Sequence, residues 1–146
     1  VFAASDSKPL TINAQVSDRA SLTLEVATIN FPDTDPDTTP IPATENSIDV
    51  TVKVRTGSAS AVTLTHQAAG DLRNAALDTI PISNVTWTAS GAGFQGGTMS
   101  STVPQTAGSW TGSGNRTGTF SYFLANSWNY AVGNYSVSST YILSTP

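Results

Sequence analysis

Alternation of apolar and polar residues runs through most of this chain. In PLTINAQV, Leu10, Ile12, Ala14 and Val16 alternate with Thr11, Asn13 and Gln15. Five residues on, SLTLEV repeats the pattern with Leu22, Leu24 and Val26. A period of two marks a strand with one apolar face. The clearest case is SIDVTVKVRT, where Ile48, Val50, Val52 and Val54 face one way and Asp49, Thr51, Lys53 and Arg55 the other. The same reading predicts strands over AVTLTHQ, with Val62, Leu64 and His66 on one face, and over SNVTWTAS around Trp87. GTFSYFLAN presents Phe120, Tyr122 and Leu124, and GNYSVSSTYILSTP presents Tyr135, Val137, Tyr141 and Leu143.

The segments between these read differently. Asn30 to Asn46 holds four prolines and three aspartates, which predicts a long surface loop. Ala69 to Ile82 is the one stretch with helical spacing, at Leu72, Ala76 and Leu77, and is short enough for a single turn or an irregular loop. The glycine-rich stretch from Gly91 to Gly118 predicts one weak strand among turns. With about seven short strands after the opening one, the expected fold is an all-β sandwich.

Composition sharpens this. Charged residues are 11% of the 146-residue chain, against about 25% in ordinary soluble domains. The polar surface therefore comes from Ser, Thr, Asn and Gln. This composition, and a start (VFAAS) that reads as a mature N-terminus or the last trace of a signal peptide, point to a secreted, extracellular protein rather than a truncated cytosolic one. Six Lys and Arg within a net charge of −4 exclude a nucleic-acid partner of the phosphate-neutralising kind. No apolar run is long enough for a membrane span. Asn84, Asn115 and Asn134 each head an Asn-X-Ser/Thr sequon.

Catalytic and metal chemistry finds little support. With no cysteine and one histidine, His66, a zinc set or a nucleophilic triad lacks its parts. His66 continues the inward face of a strand and reads as a packed residue. Asp33, Asp35 and Asp37 have the opening spacing of a calcium loop, but Thr38 and Thr44 stand where that loop needs its glycine and glutamate. The expectation is a non-enzymatic protein without cofactor or metal. Trp87, Trp110, Trp128, Tyr122 and Tyr130 allow an alternative, a secreted carbohydrate-binding module stacking sugars on exposed aromatics, although Trp87 and Tyr122 read as core.

The opening strand needs a partner, because an exposed alternating strand is an aggregation hazard. It could form a hairpin with Ser21–Val26 through the connector SDRA, or complete the sheet of another molecule by strand addition.

The order of LTINAQV, SLTLEVATINF, an acid-bearing loop, IDVTVKVRTG, AVTLTHQAAG and GNYSVSSTYIL resembles the spore coat protein U type of pilin domain, the archaic branch of chaperone–usher pili. The likeness spans about Leu10 to Leu143 and is carried by the "NF" before the acidic loop, a glycine-ended strand, and Gly133 and Tyr135 opening the last strand. It lacks the family's usual disulfide. The resemblance implies an immunoglobulin-like sandwich, incomplete by one strand and completed by a donor strand from a neighbouring subunit. Residues 1–17 would be the donor extension and residues 18–146 the pilin domain. Leu10, Ile12, Ala14 and Val16 would be donor residues. Leu22, Leu24, Val26, Val137, Tyr141 and Leu143 would line the acceptor groove. The implied function is a structural subunit of a cell-surface pilus, or fimbrium, involved in adhesion. It would be a head-to-tail homopolymer delivered by a periplasmic chaperone and an outer-membrane usher.

Overall fold

The computed structural model describes residues 3–146. They form an all-β protein of ten strands: β1 (Arg19–Leu24), β2 (Ile41–Arg55), β3 (Ala61–Ala68), β4 (Leu72–Arg73), β5 (Thr79–Ile80), β6 (Val85–Ser90), β7 (Gly97–Thr98), β8 (Gln105–Thr111), β9 (Gly114–Leu124) and β10 (Ser139–Ser144). One antiparallel sheet has the order β1-β2-β9-β6-β7, and a second has the order β10-β3-β8. β4 and β5 make a separate small pair.

The alternation seen in the sequence decides what the sheets bury. Val50, Val52, Val62, Leu64 and Phe120 are fully buried, each from the apolar face of its strand. Trp87 and Tyr122 join them in the core. The outer face of the first sheet is threonine-rich; Thr23, Thr51 and Thr117 stand in one row across β1, β2 and β9. A β-branched residue suits both faces of a pleated strand, so this surface remains sheet-forming while polar.

The loop expected over Asn30–Asn46 is shorter than its prolines suggest. β2 begins at Ile41, and Ile41 and Ala43 are buried. Pro42 is tolerated because β1 covers only Val50 to Arg55 of β2, so β2 is an edge strand at Pro42. A register shift between Pro42 and Ser47 then reconciles the two halves against β9. The glycine-rich stretch holds two strands, β7 and β8, and the start of β9, rather than one weak strand. One 3₁₀ turn, Ile82–Asn84, begins at the last residue of Ala69–Ile82, and the stretch before it forms no helical turn. That stretch is the β4–β5 pair, closed by the Asn74 side chain: Oδ1 accepts from the Asp78 amide at 2.8 Å and Nδ2 donates to the Asp78 carboxylate at 3.0 Å. Leu77 sits at φ 70°, outside helical geometry.

The two sheets define an upper and a lower end. The β1 start, the β2 end and the β8–β9 turn meet at the lower end, through Arg19 opposite Arg55 and Val54 opposite Gly114. The β1 end, the β9 end and the β10 start lie at the upper end. There Asn126 ties the acidic loop down: its Nδ2 donates to the Thr34 hydroxyl and to the carbonyls of Asp35 and Thr38 at 3.1–3.2 Å.

Candidate functional site

The two ends of the sheet order matter most. β1 closes one sheet and β10 closes the other. The two strands come into contact but share no ladder, so each presents a row of unpaired amides and carbonyls to the gap. Along that gap the apolar face is incompletely covered. Leu22, Leu24 and Val26 from β1 and its continuation are partly buried and packed against the core. Val137, Tyr141 and Leu143, from β10 and the segment before it, are in the same state. All six are the residues the resemblance assigned to an acceptor groove.

Tyr141 anchors β10 to the core. Its ring stacks on His66 with centroids 3.7 Å apart and planes 12° from parallel. Its hydroxyl hydrogen-bonds the hydroxyl of Tyr122, which belongs to the other sheet. His66 Nε2 meets the Ser139 hydroxyl at 2.8 Å, while Nδ1 is buried without a partner. Trp87 and Tyr122 close around the imidazole edge-on. Burial lowers the His66 pKa to about 4 and raises that of Tyr122. His66 is thus a neutral core group supporting the last strand.

The opening segment lies elsewhere. Residues 3–18 carry no strand, and all are exposed. Leu10, Ile12 and Val16 are 83%, 85% and 68% exposed, and Ala14 is exposed between them. The hairpin with Ser21–Val26 does not form: β1 pairs with β2 alone. The six residues assigned to the groove are thus all partly buried against the core, and the four assigned to the donor strand are exposed to solvent.

Sequence reasoning missed Ile29 and Phe31 after β1, which are partly buried against the core, as are Tyr130 and Tyr135 before β10. Ile29 and Phe31 extend the apolar series begun at Leu22, a signal hidden by the irregular backbone after Leu24.

The aromatic alternative divides by residue. Trp110 packs edge-on against Phe94 with centroids 4.8 Å apart, and the Arg116 guanidinium lies over its ring. Trp128 is 71% exposed, with its indole Nε1 donating to Asp37 Oδ1 at 2.9 Å. Of the sequons, Asn84 has its side-chain amide engaged with the Tyr130 hydroxyl at 2.7 Å, whereas Asn115 and Asn134 are exposed. Among the described residues no three His, Asp or Glu side chains converge in metal-binding geometry, and no helix is long and apolar enough to cross a membrane. A scan against protein-family models and a search of curated protein sequences find no match to this chain.

Proposed function

We propose that this protein is a non-enzymatic filament subunit of pilin type. Its opening segment adds as a strand to the β1–β10 gap of a neighbouring copy, completing an immunoglobulin-like sandwich. One observation carries the reading: an exposed alternating segment and an under-covered apolar gap exist in the same chain and do not meet. Fully burying Leu10, Ile12 and Val16 would contribute roughly 1.5–3 kcal/mol each. The unpaired edges of β1 and β10 would supply backbone partners worth about 0.5–1.5 kcal/mol net apiece.

The topology favours a neighbour as the acceptor. The segment leaves from the lower end, directly before Arg19. A copy placed below presents its upper end, so the incoming strand runs upward from Leu10 to Val16, parallel to β1 and antiparallel to β10. The contact is heterologous; where it does not close on itself it makes a filament. A cell-surface location, adhesion, and delivery by a chaperone and usher belong to the same proposal.

Filaments seen by negative-stain electron microscopy test it. Deleting residues 1–16, or making Ile12→Asp, abolishes them by removing or charging the inserted face. Filaments that persist in either variant overturn the reading.

A second reading rests on Trp128. A largely exposed indole fixed through Nε1 is a preorganised stacking surface for a sugar ring. Loss of glycan-array binding in Trp128→Ala, by a chain that remains monomeric in light scattering, would favour a carbohydrate-binding module instead.

A further inference from the structure

Charge is distributed unevenly along the sandwich. Of the six Lys and Arg in the chain, Arg19, Lys53 and Arg55 gather on the outer face at the lower end. Arg19 lies directly opposite Arg55 across the β1–β2 ladder, and Lys53 is one step in, opposite Ser21. All three are exposed and line one shallow depression with Asn115. None forms an ion pair among the described residues, where the recorded pair joins Lys8 to Asp6 in the opening segment. Arg116 adds a fourth cation at this end, its Nη2 donating to the carbonyls of Thr111 and Gly112 at 3.1 and 2.9 Å. Asp18, beside Arg19, is the acid nearest this patch in sequence.

The upper end is the reverse. Asp33, Asp35 and Asp37 are exposed on the loop before β2. Glu25 and Glu45 flank that loop, and Asp71 and Asp78 sit on the β4–β5 side with Arg73 as the one nearby cation. Like charges placed directly opposite on a ladder are unfavourable in the isolated chain. An anionic partner relieves the Arg19–Arg55 repulsion, and the chain carries such a surface at its own far end.

We propose that copies associate end to end through this charge contact, the basic lower end of one seated against the acidic upper end of the next. The direction of stacking rests on the strand-addition reading, since the opening segment leaves from the basic end; the charge contact is a separate interaction and can fail alone. Its role is to steer the encounter and set its polarity. A like-facing approach brings two equal charges together, whereas the head-to-tail approach is attractive.

Two full-length charge-inverted chains test this. One carries R19E, K53E and R55E. The other carries D33K, D35N and D37N, in which the asparagines keep acceptor oxygens for the Asp37 amide and the Trp128 indole. Assembly is followed by light scattering at about 10 mM salt, where charges act over about 30 Å. Each inverted chain alone is expected to assemble at least about tenfold more slowly than the parent. A one-to-one mixture restores assembly to within about threefold, because each inverted end then meets its complement. At about 1 M salt the differences vanish. An inverted chain that assembles alone at the parental rate, or a mixture no faster than its components, overturns the proposal.

Should an inverted chain fail to fold, the parent alone decides. Its assembly rate must fall at least about tenfold between about 10 mM and about 1 M salt, and an unchanged rate overturns the proposal. Ile12→Asp separates the two ideas. Placed in both inverted chains, it leaves a salt-sensitive mixed complex detectable by sedimentation velocity, and absence of that complex overturns the charge contact. Parental filaments formed by Ile12→Asp in the otherwise native chain overturn strand addition instead.

Discussion

The sandwich has two sides, and they are closed differently. On the β7–β8 side the sheets are laced by backbone: the Gln95 amide donates to the Ala107 carbonyl and the Ser109 amide to the Gly93 carbonyl, both at 2.9 Å. Trp87 Nε1 donates to the Gln95 carbonyl at 2.8 Å, and Phe94 fills the seam between Trp110 and Phe120. On the β1–β10 side no backbone hydrogen bond joins the two strands among the described residues. The closing contacts there are side chains, Tyr141 on His66 and Tyr141 to Tyr122. A side closed by backbone is self-sufficient. One held by side chains leaves its edges unpaired and open to another strand.

The contrast can be broken first at the laced side. Phe94 is buried and touches two aromatic rings edge-on. Phe94→Ala is expected to cost about 3–5 kcal/mol in urea unfolding, through lost packing and the cavity left behind. A loss below about 1 kcal/mol would show that the seam is not the stable side.

Next is the titration of His66 beneath β10. Its pKa is about 4 in the folded chain, against 6.5 when free, because burial disfavours the cation. The unfolded chain therefore takes up a proton below pH 6.5 that the folded chain refuses until about 4. The stability is fully present above pH 6.5 and is lost as pH falls through that window. The loss by pH 4 is on the order of 3 kcal/mol. His66→Phe keeps a ring against Tyr141 and removes this component. Unfolding curves across the window, compared between the two chains, measure it; parallel pH profiles would refute it.

Gly108 gives a smaller effect on the laced side. A Cβ there would lie 2.1 Å from the Trp110 ring. Gly108→Ala must displace the indole or the bulged β8 backbone, at about 1–3 kcal/mol, read by thermal unfolding.

The smallest effect falls on the open side. Leu24 is only half-buried, so Leu24→Ala should cost the isolated chain under about 1 kcal/mol. The same change should slow assembly if a strand is to cover it. Amide exchange extends the comparison: gap-facing amides of β1 and β10 exchange fast in the monomer, and those between β3 and β8 slowly.

Much of the fold was legible in the chain. β2 from Ile48 onward, β3, β6 and the Phe120–Leu124 part of β9 each bury one face, so each carries a period of two. What escaped the reading has local causes. β8 is bulged at Ala107, between the paired Thr106 and Gly108, and Ala107 and Gly108 are both buried, so its alternation breaks. Pro42 hid the first half of β2 because its missing amide signals a loop unless the neighbouring strand has already ended. Asn74 satisfies the Asp78 amide through a side chain, which no spacing rule records. Among the candidate site residues, the alternation of Leu22 and Leu24, and of Tyr141 and Leu143, marked apolar faces. It carried no information on how fully they are covered.

The sequence by itself determined which residues turn inward, since pleating ties side-chain direction to residue parity. It also set the acid and base content of each segment. Only the tertiary structure decided that β1 and β10 become unpaired neighbours on opposite sheets, that Leu10 to Val16 stay outside, and that the bases and acids separate to opposite ends. Strand pairing and charge placement in space depend on contacts between distant segments. Those contacts arise from the whole chain packing at once, and no local pattern specifies them.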